Sequence, residues 1–179
     1  MLAWTITAAA VLLSFERLCY LWIWRAPDKF CERCATPVIA RIGSEPIDVL
    51  EILFYFFKIL QLAVLVGWCL IFGNGVLWPA SATVFNLGVG TALMATGQTL
   101  NLSVFHRLGR VGVFYGNKLG YRIAWSRKFP FSWLEHPQYF GTLLSIWGFF
   151  LALRFPQDDW YVVPVLETIY YGLGAYFER

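Results

Sequence analysis

The sequence predicts an all-α integral membrane protein in which residues 1–179 form a single domain, a bundle of about five transmembrane helices. Hydrophobic residues make up 59% of the chain and charged residues only 14%, whereas a typical soluble domain has about 25% charged residues. The mean hydropathy is +0.59. The nine tryptophans and nine tyrosines are typical of the aromatic belts that form at the two membrane surfaces.

Five apolar stretches account for the predicted helices, because about 20 apolar residues are needed to cross the hydrocarbon core. We expect spans at about residues 2–24, 50–72, 77–105, 138–154 and 160–177. Glu16 and Arg17 interrupt the first span, and we expect them near the headgroups, with the end of that helix lying along the interface. Lys58, about two turns into the second span, is expected to reach back to the membrane surface. Glu167 lies inside the fifth span.

The connections between the spans differ in charge. Residues 25–49 are predicted to be an irregular surface segment with four basic side chains, and residues 106–134 a long loop with six basic residues and no acid. Together they hold ten of the fourteen Lys and Arg residues. Residues 73–75, Gly-Asn-Gly, predict a tight turn, so that the next helix returns antiparallel. Because basic residues favour cytoplasmic loops, the first and third connections and the C-terminus are expected in the cytoplasm, and the N-terminus outside.

Two of the four cysteines, Cys31 and Cys34, form a Cys-x-x-Cys pair. A zinc site needs two further ligands and no second pair follows, so we expect no metal. Ordinary thiols on the reducing side are favoured over a redox pair, which stays open as an alternative. The apolar composition is expected to place the chain in the lipid bilayer, and no nucleic-acid partner is expected.

Residues 129–141 concentrate acid–base groups at a predicted helix start. Pro137 suits the first turn of a helix, where its missing N–H costs nothing. Glu135 and His136 therefore lie just before the helix, and Tyr139 lies in its first turn. The unpaired N–H groups and partial positive charge of a helix N-terminus can hold a carboxylate. The alternative is a polar helix cap beside an interfacial tyrosine.

The predicted third span carries small residues on one face. Gly90, Met94, Gly97 and Asn101 fall on that face by the three-to-four spacing of a helix. Small residues of this kind let two membrane helices pack closely. Alternatively, they leave a bare strip of backbone against which a ligand lies, with the amides of Gln98 and Asn101 as donors and acceptors.

The predicted topology brings several of these groups to one depth. The fourth and fifth spans form a hairpin that Glu135 and His136 open and Glu178 closes on the cytoplasmic side. The end of the third span, near Gln98 and Asn101, lies at the same level. We therefore expect a site at the cytoplasmic interface, which a soluble cofactor reaches from one side and a lipid from the other.

Five short pieces stand out in the second half of the chain. They are Gly88-Val89-Gly90, Gly97-Gln98-Thr99-Leu100-Asn101, Val113-Phe114-Tyr115-Gly116, Phe129-Pro130-Phe131, and His136-Pro137-Gln138-Tyr139 with Gly141. Taken jointly, they resemble the phospholipid N-methyltransferases of the phosphatidylethanolamine N-methyltransferase type, and are most similar to the small plant-type enzymes. The resemblance implies S-adenosylmethionine-dependent N-methylation of phosphatidylethanolamine, or of its mono- and dimethyl forms, toward phosphatidylcholine.

The resemblance also implies a cofactor site. In this family a Gly-x-Gly motif and a terminal Glu-Glu pair are the proposed binding motifs for S-adenosylmethionine, and in this chain Arg179 stands in place of the second Glu. The His-Pro-x-Tyr-x-Gly piece is shared with the isoprenylcysteine carboxyl methyltransferases, where a similar piece holds the methionine end of the cofactor. The cofactor residues implied are Gly88, Gly90, Gly97, Gln98, Asn101, His136, Tyr139, Gly141 and Glu178.

Methylation of an amine requires that one proton leaves first, because a protonated ammonium has no lone pair. A free amine with a pKa of about 10 is mostly charged at neutral pH, so a general base is useful. The candidate catalytic residues are Glu135, His136 and Glu178 as bases, and Tyr139 as the group that orients the amine or the cofactor carboxylate. The basic loop is expected to hold the lipid phosphate through Arg122, Arg127 and Lys128.

Three other functions stay open on the sequence alone. Carboxyl methylation of a prenylated cysteine would need a groove for the prenyl chain. A membrane reductase of the steroid-reductase type would bind NADPH. A membrane scaffold would bind no cofactor and would tolerate substitution of His136. The expected location is the endoplasmic reticulum membrane in a eukaryote, or the bacterial inner membrane in a prokaryote.

Overall fold

The computed structural model is built of α-helices and describes residues 2–78, 82–123 and 126–178. Its helices are α1 (Leu2–Arg25), α2 (Pro27–Cys34), α3 (Pro46–Phe72), α4 (Val84–Val113), α5 (Pro137–Leu153) and α6 (Val162–Phe177), with a 3₁₀ turn at Ile39–Arg41. The all-α prediction is confirmed, and the five longer helices correspond to the five predicted spans. Within the described residues, α1 and α3 are long and apolar enough to cross a membrane, whereas α5 and α6 have 17 and 16 residues.

Three of the helices begin at a proline in the first turn, namely Pro27, Pro46 and Pro137. At α3 the proline is reinforced by a capping box, in which Glu45 and Asp48 each accept the other's backbone N–H. The carboxylate of Asp48 lies 2.9 Å from the Glu45 nitrogen. The cap moves the start of this helix four residues ahead of the predicted position.

Helix α4 differs most from its prediction. It begins at Val84, where the Thr83 hydroxyl accepts a backbone N–H at 3.1 Å, rather than at residue 77; residues 79–81 lie outside the described residues. It then continues to Val113, eight residues beyond the predicted end, so the first part of the predicted basic loop is helical. Gly109 interrupts the helix with a φ of +63°, a left-handed backbone angle that glycine adopts readily.

The first connection is also more regular than expected, because α2 and the 3₁₀ turn occupy much of it. Phe30 and Cys34 of α2 are buried against the start of α3, which accounts for the helix. Cys31 and Cys34 are free thiols. Burial raises the pKa of both thiols, which favours their protonated form.

Helices α4 and α5 are in backbone contact through four glycines. A Cβ atom on Gly97 would lie 2.2 Å from the carbonyl oxygen of Gly141, and one on Gly90 would lie 2.5 Å from that of Gly148. Real Cβ atoms do not approach other atoms so closely, so these positions require glycine. The packing interpretation of the small-residue face therefore accounts for Gly90 and Gly97.

Polar contacts show which connections share a side of the molecule. Arg110, near the end of α4, pairs with Asp48 and Glu51 in the first turns of α3. Beyond α4, the Tyr121 hydroxyl donates to the Glu45 carboxylate at 2.6 Å. The first and third connections therefore lie together, as the charge pattern predicts.

The α5–α6 connection lies at the opposite end of α3. The indole N–H of Trp68 donates to Asp159 at 2.9 Å, and the buried guanidinium of Arg154 donates to the same carboxylate. The chain thus passes from one side to the other along α3 and back along α4. Residues 73–75 form the predicted turn, with φ values of +53° at Asn74 and +82° at Gly75.

The charged residues of the predicted spans face the interior, which corrects two predictions. Glu16 is only 3% exposed and lies 3.2 Å from the ammonium of Lys58, which also donates to the Tyr171 hydroxyl at 3.0 Å. Lys58 therefore points into the bundle instead of back to the surface, whereas the position of Glu16 and Arg17 relative to the headgroups stays a prediction. Helix α1 is continuous to Arg25 and does not turn along the interface. Glu16 and Lys58 pair with each other inside the bundle instead.

Candidate active site

The end of α6 is joined to the start of α5 through a carboxylate. Glu178 follows the last turn of α6 and is partly buried. The Tyr139 hydroxyl, in the first turn of α5, lies 2.6 Å from both Glu178 oxygens, and the Tyr115 hydroxyl donates to one of them at 2.7 Å. The two hydroxyls hold the carboxylate in one orientation. Sequence reasoning anticipated that Tyr139 and Glu178 would meet, but assigned no role to Tyr115.

Tyr115 reaches this carboxylate because of the backbone that follows α4. Its φ of +51° lies in the left-handed region, which turns the chain back towards α1. Its ring packs edge-on against Trp24, with 5.4 Å between centroids, and against Tyr20. Burial raises the pKa of Tyr115 well above that of an exposed tyrosine, so the hydroxyl stays protonated and remains a donor.

His136 is the residue that precedes α5, as Pro137 in the first turn predicts. Its ring stacks on Tyr139 at a centroid distance of 5.5 Å and an interplanar angle of 15°. Glu135 is exposed. These residues share a cavity of about 270 Å³ with Glu178, Tyr115, Trp24 and Phe131. The cavity therefore contains an oriented carboxylate, an imidazole and several aromatic rings at the start of a helix.

A second, larger cavity of about 680 Å³ lies between α3, α4 and α5, and its lining is mostly apolar. Gln98 and Asn101 line it, and the Gln98 amide donates to the Ser145 hydroxyl at 3.0 Å. The side-chain oxygen of Asn101 is buried with no hydrogen-bond partner among the described residues. Gln138 lines this groove and also the 270 Å³ cavity, so the two spaces share a wall at the first turn of α5.

A third cavity, of about 60 Å³, lies at the same junction. Gln138 and Tyr139 line it, together with three charged residues from α1 and α3, namely Glu16, Arg17 and Lys58. Arg17 places its guanidinium carbon 3.6 Å from the centroid of the Tyr171 ring, a cation–π contact. The sequence signal for these residues was their charge within apolar spans, which usually marks a functional position.

The structure separates the predicted cofactor residues into two groups. Glu178, Tyr139 and His136 are together, and Gln98 and Asn101 line the neighbouring groove. Gly90, Gly97 and Gly141 lie buried between α4 and α5, where the facing helix occupies the space beside them. Gly88 is exposed, and a Cβ atom added to it would have nothing within 4 Å. Packing therefore explains the buried glycines, and their role in cofactor binding stays a prediction.

The residues predicted to hold the lipid phosphate, Arg122, Arg127 and Lys128, are exposed on the connection between α4 and α5. Among the described residues, the linings of the three cavities include none of them. Their role as phosphate ligands stays a prediction. Arg179, at the second position of the predicted terminal motif, lies outside the described residues.

Comparison with known proteins assigns this helical bundle to a class. The sequence model of the phospholipid methyltransferase family matches residues 85–179, just over half of the chain. That segment contains α4, α5 and α6, and with them the Tyr139–Glu178 pair. The chain belongs to the phospholipid methyltransferase family, which confirms the resemblance described above and implies a methyl donor.

Individual relatives agree with this assignment. The chain is 29% identical over 141 residues to phosphatidyl-N-methylethanolamine N-methyltransferase of Arabidopsis thaliana, which covers 79% of this chain and 74% of the relative. It is 34% identical over 101 residues to phosphatidylethanolamine N-methyltransferase of Rattus norvegicus, and 30% identical over 92 residues to the Homo sapiens protein of the same name. The chain spans 48% and 45% of the length of these two mammalian relatives. No solved structure matches the chain with statistical significance.

Proposed function

We propose that this protein transfers a methyl group from S-adenosylmethionine to the amine nitrogen of phosphatidylethanolamine, or of its mono- and dimethyl forms, toward phosphatidylcholine. The observation that carries the proposal is the position of the Tyr139–Glu178 pair. The pair lines the 270 Å³ cavity, and the adjacent Gln138 borders both that cavity and the groove with an apolar lining. A transferase that joins a soluble donor to a lipid acceptor needs two such spaces with a common wall.

The residues that line the 270 Å³ cavity fit a sulfonium donor. S-adenosylmethionine would supply a methyl group on a positively charged sulfur, together with an amino-acid carboxylate and an adenine ring. The Glu178 carboxylate suits a positive charge, and the aromatic residues Trp24 and Tyr115 line the same cavity. The N-terminus of α5 suits a carboxylate. We therefore assign the donor to the cavity that His136, Tyr139 and Glu178 line, and Gln98 and Asn101 lie in the neighbouring groove.

The Glu178 carboxylate also suits the acceptor. The lipid amine is mostly an ammonium at neutral pH, and a carboxylate near it favours binding of the charged form and accepts the departing proton. A bound donor would supply its methyl group to the free nitrogen lone pair and would itself be released as a neutral sulfide. Tyr139 and Tyr115 hold the carboxylate in place, so that it is oriented before either substrate binds. We assign the general base to Glu178 in preference to Glu135, which is exposed.

The groove suits the acyl chains of the acceptor. Its volume of about 680 Å³ and mostly apolar lining are typical of sites for large apolar ligands. Many large apolar side chains on the outside of the helices are exposed, as expected for a chain surrounded by lipid. We therefore place all five longer helices across the membrane, with the first and third connections and the active site facing the cytoplasm.

The topology can be tested with single cysteines in a chain freed of its four native cysteines. A cysteine at Arg127 should react with a membrane-impermeant maleimide only from the cytoplasmic side, and one at Asp158 only from the opposite side. Equal accessibility of both from one side would refute the five-span arrangement. Neither Arg127 nor Asp158 lines one of the three cavities, so the substitutions serve as reporters of topology.

The activity can be tested with purified protein, labelled S-adenosylmethionine and four acceptors in parallel: phosphatidylethanolamine, its monomethyl form, its dimethyl form and a prenylcysteine. We expect label in one or more phospholipids. Label in the prenylcysteine alone would move the protein to carboxyl methylation. No label, together with no binding of the donor, would refute a transferase.

The site assignment can be tested with Glu178→Gln, which keeps the size of the side chain and removes its charge. We expect turnover to fall by about 10²- to 10⁴-fold, the range for loss of a general base. Glu32→Gln, an exposed acid on α2, is the matched control and should leave turnover unchanged. Normal turnover in Glu178→Gln would remove the proposed base. His136→Ala and Tyr139→Phe should each weaken donor binding, measured by equilibrium dialysis.

A further inference from the structure

Three buried hydrogen-bond donors surround the 60 Å³ cavity without partners. The Nε and Nη2 atoms of Arg17 and the hydroxyl of Tyr20 are inaccessible to solvent and have no hydrogen-bond acceptor among the described residues. Nη2 lies 3.2 Å from a Glu16 oxygen, an ion pair without hydrogen-bond geometry. Leaving a buried donor unpaired is costly, more so when it is charged. Arg17 and Tyr20 both line the cavity, so an acceptor with several oxygens bound there would lie beside donors that lack partners.

The charge around the cavity favours an anion as that acceptor. Among the described residues that line it, Arg17 and Lys58 are cations and Glu16 is the one carboxylate. Glu16 lies 3.2 Å from each of the two cations, so the lining itself carries one more positive than negative charge. Glu167 lies outside the lining and bonds to Gln61, although its carboxylate also interacts electrostatically with both cations. The volume is several times the 10–15 Å³ that about one water molecule needs, which leaves room for an oxyanion.

The order of the three spaces matches the order of groups in the proposed acceptor. Lys58 and Gln138 line both the apolar groove and this cavity, while Tyr115 and Tyr139 line both this cavity and the donor cavity. Along a phosphatidylethanolamine molecule the acyl chains come first, then the phosphodiester, then the amine. Acyl chains in the groove and the amine beside Tyr139 and Glu178 therefore leave the phosphodiester at Arg17 and Lys58.

We propose that Arg17, with Lys58 and the hydroxyl of Tyr20, binds the phosphodiester of the phospholipid acceptor. The proposal rests on the proposed function, because it takes phosphatidylethanolamine or its methylated forms as the acceptor. We prefer this site to the basic loop as the phosphate site. A buried guanidinium binds an anion more strongly than an exposed one, because solvent and salt screen the exposed charge. Arg17 and Tyr20 lie on α1 and Lys58 on α3, so all three are outside the segment that the family model matches.

The test is Arg17→Gln, with Arg17→Lys as a second variant that keeps the charge but loses the planar fork of donors. Arg41→Gln, an exposed arginine in the 3₁₀ turn, is the matched control. For each protein we would measure the KM for phosphatidylethanolamine in mixed micelles and the Kd for the methyl donor. Displacement of a spin-labelled phospholipid by phosphatidylethanol, which has the phosphodiester but no amine, gives a readout that does not require turnover. Diacylglycerol, which lacks the phosphate, is the matched competitor.

We expect Arg17→Gln to raise the KM for the phospholipid about 10- to 100-fold, the range for loss of a hydrogen bond to a charged group. Arg17→Lys should lie between this variant and the wild type. Phosphatidylethanol should displace the labelled lipid better than diacylglycerol from the wild type and from Arg41→Gln. That preference should disappear in Arg17→Gln.

Other outcomes would overturn the inference. A higher Kd for the donor with an unchanged phospholipid KM would assign Arg17 to the donor carboxylate. An equal preference for phosphatidylethanol in the wild type and in both Arg17 variants would show that the cavity holds water only. If Arg17→Gln fails to fold, binding of phosphatidylethanol and of diacylglycerol should fall alike. The preference between these two lipids would then be measured in Arg17→Lys. If the wild type binds phosphatidylethanol through Arg17 but methylates no phospholipid, the phosphate site stands and the proposed function fails.

Discussion

Replacing Gly97 with alanine tests whether α4 and α5 are in backbone contact. The new Cβ would lie 2.2 Å from the Gly141 carbonyl oxygen, 0.8 Å closer than the 3.0 Å that real Cβ atoms respect, and 2.5 Å from the Ser145 hydroxyl. Since one neighbour is backbone, the helices must move apart. Overpacking of this kind typically lowers the free energy of unfolding by up to about 3 kcal/mol, whereas the higher helix propensity of alanine raises it by about 1 kcal/mol. We therefore expect the free energy of unfolding to fall by about 2 kcal/mol.

Gly88→Ala is the matched control, because Gly88 lies on the same helix with nothing within 4 Å of a Cβ position. It should gain up to about 1 kcal/mol, so the two variants should differ by about 3 kcal/mol. For a chain of this length 1 kcal/mol shifts Tm by about 2–4 °C. The assay is the fraction of protein that stays monodisperse in detergent after heating, followed by size-exclusion chromatography with tryptophan fluorescence.

A Tm for Gly97→Ala equal to or above that of Gly88→Ala would refute the close contact. The same proteins distinguish the two interpretations of the glycines. If Gly97→Ala keeps its Tm but loses donor affinity, the glycine face binds the cofactor. If Tm falls while the remaining folded protein binds the donor normally, the face serves packing.

Two further predictions concern other parts of the molecule. Arg154→Gln leaves the Asp159 carboxylate without its buried partner and should destabilise the protein by about 3 kcal/mol, measured as a lower Tm, whereas Asp158→Asn at the exposed neighbour should change stability by less than about 0.5 kcal/mol. Burial raises the pKa of Tyr115, so the folded state keeps this proton to higher pH than the unfolded state does. The resulting stability is complete below about pH 10 and is lost as the pH rises further. Tyr115→Phe should therefore lose less stability than the wild type between pH 9 and pH 11, and parallel pH profiles would contradict this.

The sequence predicted the ends of helices well where a proline or a glycine determines the backbone conformation. Pro137 placed the start of α5, and residues 73–75 the turn after α3. The start of α4 was missed because Thr83 caps the helix beyond an apolar stretch that looks continuous in sequence. Its end was missed because a basic stretch is typical of a loop, although Arg110 is held on the helix by acids of α3.

The sequence predicted those parts of the candidate site that the order of the helices brings to one end of the bundle. Tyr139 and Glu178 follow from the hairpin of the last two helices. Tyr115 could not be assigned, because its approach depends on a left-handed backbone angle in an irregular segment. The Glu16–Lys58 pair was missed for another reason. Whether a charge in a span faces lipid or protein depends on how the helix is rotated about its axis, and hydropathy does not report this.

The contact between α4 and α5 also limits how a lipid travels. Two helices whose backbones touch at the Gly90–Gly148 and Gly97–Gly141 levels leave no seam through which an acyl chain can pass. The groove, by contrast, is bounded by α3 on its other wall. For the proposed lipid acceptor, we therefore expect exchange with the bilayer past α3 and not between α4 and α5.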